Sequence, residues 1–282
     1  MFAGIENLQL IITLTTDFGL KDPLVAAVKG RIYGELPDAL VVDISHEINP
    51  FDIAEAAYVL RDAYRNFPKG SIHIVGVDTL INPHKRPIVA VIDEHYFIGT
   101  DNGILSLISA EIAPKEIVEI TIPQVQVETI FPTCDIFVPV ACHLVRGGKL
   151  SVIGQKIKNF KELSFLKPVV KEGRNINGTV IYIDNYGNVI TNITEKIFRE
   201  TGKKRDCRIW FRNHEFTEVY SSYNQIVKDF ENEESDYGKG MALFGSSGFL
   251  EIAIYKSNPQ TVGAANTLYG LKKGDVVNVE FN

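Results

Sequence analysis

Cysteine is scarce: three residues, Cys134, Cys142 and Cys207, in a chain of 282, with no two in C-x-x-C spacing. That excludes a disulfide framework and a zinc ribbon, and the lone thiols point to the cytoplasm. Long apolar runs are missing as well. The N-terminal LQLIITLT is far short of the roughly 18 residues of a membrane span, so no membrane partner is expected. Acidic Glu6 precedes that run, with no basic leader and no small-residue cleavage site, so the segment reads as a first buried strand rather than a signal peptide. Positive charge is not in excess: 29 Lys and Arg face 35 Asp and Glu, a formal net charge of −6. A broad nucleic-acid footprint is thereby excluded. The six histidines form no H-x-x-x-H or H-E-x-x-H pair, so no metal is expected. No G-x-G-x-x-G follows the first strand and no G-x-S-x-G occurs anywhere, which argues against a dinucleotide cofactor and a nucleophilic serine.

What is present is ordinary globular material. The chain is 45% hydrophobic, 23% charged and 10% aromatic, enough for one large core or two moderate ones. Leu10 to Thr15 is a continuous β-branched run, as in a strand covered on both faces. Asp22-Pro23 predicts a helix start with proline at the first helical position, and Leu24, Val25, Val28 and Ile32 form its stripe. A second strand spans Ala39 to Ser45. Asp52 and Glu55 stand in capping-box spacing before Ile53, Ala56, Ala57, Leu60 and Tyr64. Ser71 to Val77, Pro87 to Ile92 and His95 to Thr100 complete a strand-helix alternation that predicts a mainly parallel sheet flanked by helices. Ligands of such sheets sit beyond the carboxyl ends of the strands, here the loops at Asp17, Ser45 to Phe51 and Asp78.

Past residue 165 the texture changes to short strand-like runs such as TVIYI, VITNI, CRIWF and FLEIAIY, separated by turn residues. The expected organisation is an α/β N-terminal domain over 1–165, a linker over 166–175 and a small all-β barrel domain over 176–282. Lys228 to Gly240, KDFENEESDYGKG, reads as a solvated acidic insertion. His73, inside a strand, and His143, on a helix, read as structural.

Asp17, Asp78 and Asp184 each follow an apolar strand directly. One at a time, such residues cap turns. Three together suit a site where acceptor-only oxygens meet ligand hydroxyls. TDNGIL and DNYGNVITN taken alone are Asn/Gly turns, and GSSGFLEIA is a weak anion-cradle signal because neither a helix nor a lysine follows it.

TTDFGLKDPLVAAVKGRIYGELPDALVVDISHEINPFDIAEAAYVL, followed in order by DNGILS, DNYGNVITNI and GSSGFLEIA, resembles the family of S-adenosylmethionine hydroxide adenosyltransferases and the related fluorinase and chlorinase enzymes. The resemblance implies an α/β domain joined to a β-barrel domain. It also implies a homotrimer that binds a small-molecule nucleoside ligand at intersubunit sites, with S-adenosylmethionine as substrate and no cofactor. Carried over residue by residue, Asp17 would hold the ribose hydroxyls and Phe51 would lie against the ligand. Asn102 of the DNGIL segment, Asp184, Tyr186 and Asn188, and Ser246 and Ser247 would complete the substrate-binding set.

The active centre departs from the pattern. Hydrolases of the family carry an Asp-Pro-Gly-Val-Gly run leading to an Arg, and a His in a later Phe-His-Gly-Arg-Asp segment. Here the first reads DTLINPHKRP, keeping Asp78 and placing Lys85 at the Arg position with Arg86 beside it; the second reads FPTCDIF, placing Pro132 at the His position. The expected catalytic residues are Asp78 and Lys85. The expected reaction is cleavage of S-adenosylmethionine at its 5′ carbon by water, giving adenosine and L-methionine. The alternatives are a catalytically silent binder of adenosine or S-adenosylmethionine, and adenosyl transfer to halide with Thr133 as a hydroxyl donor.

Overall fold

The computed structural model describes residues 10–109, 112–122, 129–163 and 167–282. Residues 1–9, ahead of the expected first strand, and the expected domain boundary at 165–166 lie outside the described residues. The chain divides into two compact units, Met1–Leu163 and Ser164–Asn282.

The first unit is built on a seven-stranded sheet. Its strands are β1 (Ile11–Thr16), β2 (Leu40–Ser45), β3 (Ile72–Gly76), β4 (Pro87–Ile92), β5 (His95–Thr100), β6 (Glu116–Ile120) and β7 (Gly154–Lys156). They lie in the order β2-β1-β3-β5-β4-β6-β7. The neighbours among β2, β1, β3 and β5 run parallel, whereas β4, β6 and β7 join antiparallel. The change of direction follows from the tight turn between β4 and β5, where Asp93 and Glu94 both take positive φ, 50° and 64°, the backbone of a two-residue hairpin.

Both faces are covered at the central strands, which explains why β1, β3, β4 and β5 read as unbroken apolar runs, whereas β2, at the edge, is partly exposed. Ile12, Leu14, Ile72 and Ile74 face α1 (Leu24–Glu35) and α4 (Val138–Val145) in one cluster. Val75, Val77, Ile88 and Phe97 face α2 (Ile53–Tyr64) and α3 (Ile104–Ile108) in the other. The cap of α2 is as read: Asp52 accepts from the Glu55 amide at 3.0 Å. Asn49 Nδ2 also donates to Glu55 Oε2 at 2.7 Å. The start of α1 is corrected by one residue. Pro23 is the cap rather than the first helical residue, and no side chain caps the end. A short helix, α5 (Leu150–Ile153), leads into β7.

The second unit is a nine-stranded, nearly closed sheet. It comprises β8 (Val169–Lys171), β9 (Asn175–Ile183), β10 (Val189–Thr194), β11 (Cys207–Phe211), β12 (His214–Phe216), β13 (Val219–Tyr220), β14 (Gly240–Phe244), β15 (Phe249–Ile254) and β16 (Val276–Phe281). Residues 169–171, expected within the linker, pair with β9. The texture of short strands hid one helix, α6 (Glu195–Gly202), which Thr194 caps through the Ile197 amide at 3.2 Å. A one-turn helix, α7 (Ala265–Leu268), follows β15. The acidic insertion is only partly solvated. Asp236 is buried, its carboxylate accepting from Lys239 Nζ and from the Lys228 amide.

His73 is structural, as read, but it is not alone. Its Nδ1 is hydrogen-bonded to Thr13 Oγ1 at 2.7 Å and its Nε2 to His95 Nδ1 at 3.1 Å, and its ring stacks on Phe97 at 4.8 Å. Burial, with His95 adding to it, pushes the His73 imidazole down to about 3, and burial lowers His95 too. In an unfolded chain the same group titrates near 6.5. As pH falls below that value, the unfolded state takes up a proton that the folded state refuses, so stability drops until the folded value is reached. Urea unfolding at pH 4.5 should therefore show a loss of about 2 kcal/mol attributable to His73 relative to pH 7. The non-titrating variant His73→Leu should fall less over the same interval; an equal fall in both proteins would contradict this assignment.

Candidate functional site

The carboxyl ends of β1 and β3 and the loop after β2 converge on one carboxylate. Asp17, the first residue after β1, accepts through Oδ2 from the Phe51 amide at 2.9 Å and from the Asp78 amide at 3.4 Å. Both donors sit in left-handed backbone, Phe51 at φ 64° and Asp78 at φ 48°, a conformation that costs a non-glycine residue about 1 kcal/mol or more. Asp17 Oδ1 accepts no hydrogen bond among the described residues. An ionised carboxylate has about four acceptor sites, so the group that shapes the loops retains capacity for ligand hydroxyls. Phe51 is exposed, its ring outside both core clusters.

Asp78 is met by a cation. Lys85 Nζ donates to Asp78 Oδ2 at 2.5 Å, with both side chains mostly buried. The intervening residues form a compact turn: Asn82 and Lys85 exchange backbone hydrogen bonds at 3.2 and 2.9 Å, and Asn82 Oδ1 accepts from the His84 amide at 2.8 Å. That turn returns Lys85 to the strand end it left. Arg86 goes elsewhere. Its guanidinium donates to Asp101 Oδ2 at 3.2 Å, Glu119 Oε2 at 3.1 Å and the Asn159 carbonyl at 3.0 Å, a three-way structural clamp. Of the two adjacent cations, Lys85 alone reaches Asp78.

Asn102 is buried beneath the Asp78 loop. Its Nδ2 donates to the carbonyls of Val77 at 2.9 Å and Asp78 at 3.4 Å, and its Oδ1 accepts from the Ile104 amide at 3.1 Å. Its amide therefore supports the loop that carries Asp78. The segment with Pro132 opens a π-turn over Thr133–Phe137 that runs into α4. Thr133 is fully buried, and its Oγ1 has no hydrogen-bond partner among the described residues. It lies beside Gly76, where a built Cβ would stand 2.8 Å from Thr16 Cγ2 and 3.3 Å from Thr133 Oγ1. Only glycine leaves that space open.

In the second unit, Asp184 closes the turn between β9 and β10. Its Oδ1 accepts from the amides of Tyr186 at 2.9 Å and Asn188 at 2.8 Å, and its Oδ2 from Asn188 Nδ2 at 3.0 Å. Gly187 supplies the positive φ, 76°. Tyr186 is held out to solvent, whereas Asn188 is buried. Ser246 and Ser247 occupy the turn between β14 and β15, closed by the Gly248 amide donating to the Gly245 carbonyl at 2.9 Å. Under that turn lies a group the motif reading missed: Glu251, on β15, is 5% exposed. The available signal was a lone acid inside the apolar run FLEIAIY. Among the described residues, no cluster of three or more His, Cys, Asp or Glu is placed to hold a metal ion. No helix among them is long and apolar enough to cross a membrane.

These features agree with comparisons to known proteins. Residues 12–154 match the family described as the SAM hydroxide adenosyltransferase N-terminal domain, and residues 178–278 match the corresponding C-terminal domain. A protein from Methanocaldococcus jannaschii named (R)-S-adenosyl-L-methionine hydrolase is 32% identical over 90% of this chain and 91% of its own. One of the same name from Thermus thermophilus is 28% identical over 92% and 95%. Proteins named fluorinase match at lower identity, that of Nocardia brasiliensis at 26% over 65% of this chain and 71% of its own. Among solved structures, an uncharacterized conserved protein from Thermotoga maritima superposes with a TM-score of 0.81 at 30% identity, covering 95% of this chain and 99% of that one. With both domains matched in order over most of its length, the chain belongs to the SAM hydroxide adenosyltransferase family.

Proposed function

We propose that this protein binds S-adenosylmethionine and hydrolyses it at the 5′ carbon to adenosine and L-methionine. The observation that carries the reading is the pair formed by Asp78 and Lys85 at the end of β3, 2.5 Å apart and anchored through the Asp78 amide to Asp17. In the reaction, water oxygen forms a bond to C5′ as the C5′–S bond breaks, and the bonding pair leaves on sulfur as a neutral thioether. The leaving group needs no proton, so catalysis consists of placing water in line and accepting its proton. Asp78 is the acceptor that orients water, and Lys85 holds the carboxylate in place. Asp17 takes the ribose hydroxyls through its free oxygen, and Phe51 offers an aromatic face to the sulfonium. Asn102 acts through the Asp78 loop. Tyr186 and Asn188, on the turn that Asp184 closes, and Ser246 and Ser247, on the turn between β14 and β15, present the second unit's ligand contacts.

Membership of the family supports a homotrimer with intersubunit sites. The free thiols support a cytoplasmic setting. Light scattering on the purified chain should return three times 31.5 kDa; a monomer would remove the trimer.

Incubation with S-adenosylmethionine, followed by chromatography, should yield adenosine and methionine in excess over enzyme. Asp78→Ala should slow turnover by about 10²- to 10⁴-fold, the usual contribution of a positioned proton acceptor. Lys85→Met should lower kcat with little change in KM, because it acts on the orientation of Asp78. Binding without turnover in the wild-type protein would leave a silent adenosyl-ligand binder in place of a hydrolase. The unpartnered hydroxyl of Thr133 favours a second reading, adenosyl transfer to halide. A halogenated nucleoside formed at high chloride or bromide would establish it, and adenosine as sole product would remove it.

A further inference from the structure

Glu251 is absorbed by none of the roles above. It lies in the middle of β15, between Ile190 of β10 and Leu243 of β14, where an apolar residue would fit the core. Its Oε1 accepts from the Tyr223 hydroxyl at 2.5 Å, a donor supplied by the short 3₁₀ turn Tyr223–Ile226. Its Oε2 accepts no hydrogen bond among the described residues and lies against the first glycine of the GSSG turn. A built Cβ at Gly245 would stand 2.6 Å from that oxygen. A buried acid with one unused oxygen is costly unless a partner arrives.

The charged surroundings are unfavourable in a particular sense. Burial pushes Glu251 up to about 7; Tyr223 pulls it down; and the Asp184 carboxylate raises it further. The strand neighbours facing it, Ile190 and Leu243, are apolar, and among the described residues no cation offsets its charge. A positive group placed near Asp184 and the GSSG turn would relieve the repulsion between the two acids.

Building on the proposed function, we propose that Glu251, fixed by Tyr223, is a binding carboxyl that receives the cationic methionine end of S-adenosylmethionine beside Asp184. Adenosine lacks that cation and does not engage it. A cation on the pair favours the ionised carboxylate, so binding releases a proton and affinity for S-adenosylmethionine rises as pH passes upward through about 7.

The test is calorimetric titration of the full-length protein with S-adenosylmethionine and with adenosine at pH 6 and pH 8, in wild type, Glu251→Gln and Tyr223→Phe. Gln keeps the shape and an acceptor for Tyr223, which separates charge from folding. Wild type should bind S-adenosylmethionine about tenfold more tightly at pH 8 than at pH 6, corresponding to one unit of displaced titration. Glu251→Gln should abolish that rise, weaken S-adenosylmethionine at pH 8 and leave adenosine unchanged. Tyr223→Phe should move the midpoint upward. Equal losses for both ligands, or an unaltered pH profile in Glu251→Gln, would overturn this assignment and leave the adenosyl-ligand reading standing. Failure of wild type to bind either ligand would overturn that reading and this one with it.

Discussion

The hydrogen bonds to Asp17 Oδ2 hold the first unit's site together. Two loops from different parallel strands are forced into left-handed backbone at Phe51 and Asp78, and both turn an amide toward the same oxygen. Without that acceptor, the two amides would lose partners and the strained φ angles would lose their compensation. Everything that gives Asp78 its chemistry follows: the loop path past Thr79, the tight turn at Asn82 and the return of Lys85. The same carboxylate that organises the loops keeps an oxygen in reserve, so construction and recognition share one residue.

The parallel half of the sheet explains why the first unit's candidate residues gather as they do. β1, β2, β3 and β5 point their carboxyl ends in one direction, and a covered sheet delivers its loops there. The buried chain from Thr13 through His73 to His95 crosses those strands well inside the sheet. Polar groups there are satisfied by one another rather than by water, which ties the strands laterally without opening a route to the site.

Much of this was legible from residue order. The apolar runs of β1 and β3 to β5 and the Asp52 cap each follow from local patterns that tertiary contacts reinforce. The short helix α6 was not legible: TEKIFRETG is brief, and its apolar face is only Ile197 and Phe198, so periodicity had little to act on. The turn carboxylates were readable as turn residues and as ligand candidates, and Asp184 is visibly the former through three hydrogen bonds. The neighbouring lysine and arginine could not be told apart by spacing, because the difference lies in which partners the fold brings near. Glu251 escaped for a related reason: its importance rests on Tyr223, distant in sequence, and on a Gly245 brought against it only when β14 and β15 pair.

Lys85 and Arg86 follow one another in the turn that leads into β4, and one meets Asp78 while the other clamps Asp101 and Glu119. The two cations are therefore independent heritable characters. An exchange of lysine for arginine at position 85 leaves the clamp untouched, because the Asn82–Lys85 turn decides which position looks at the carboxylate. Conversely, a shift of that turn by a single residue would trade the two roles at once, presenting a guanidinium to Asp78 while stripping Asp101 and Glu119 of their tether. Variation in this corner is channelled toward side-chain exchange at a fixed length, and insertions are filtered by the sheet before they can be sampled by the chemistry.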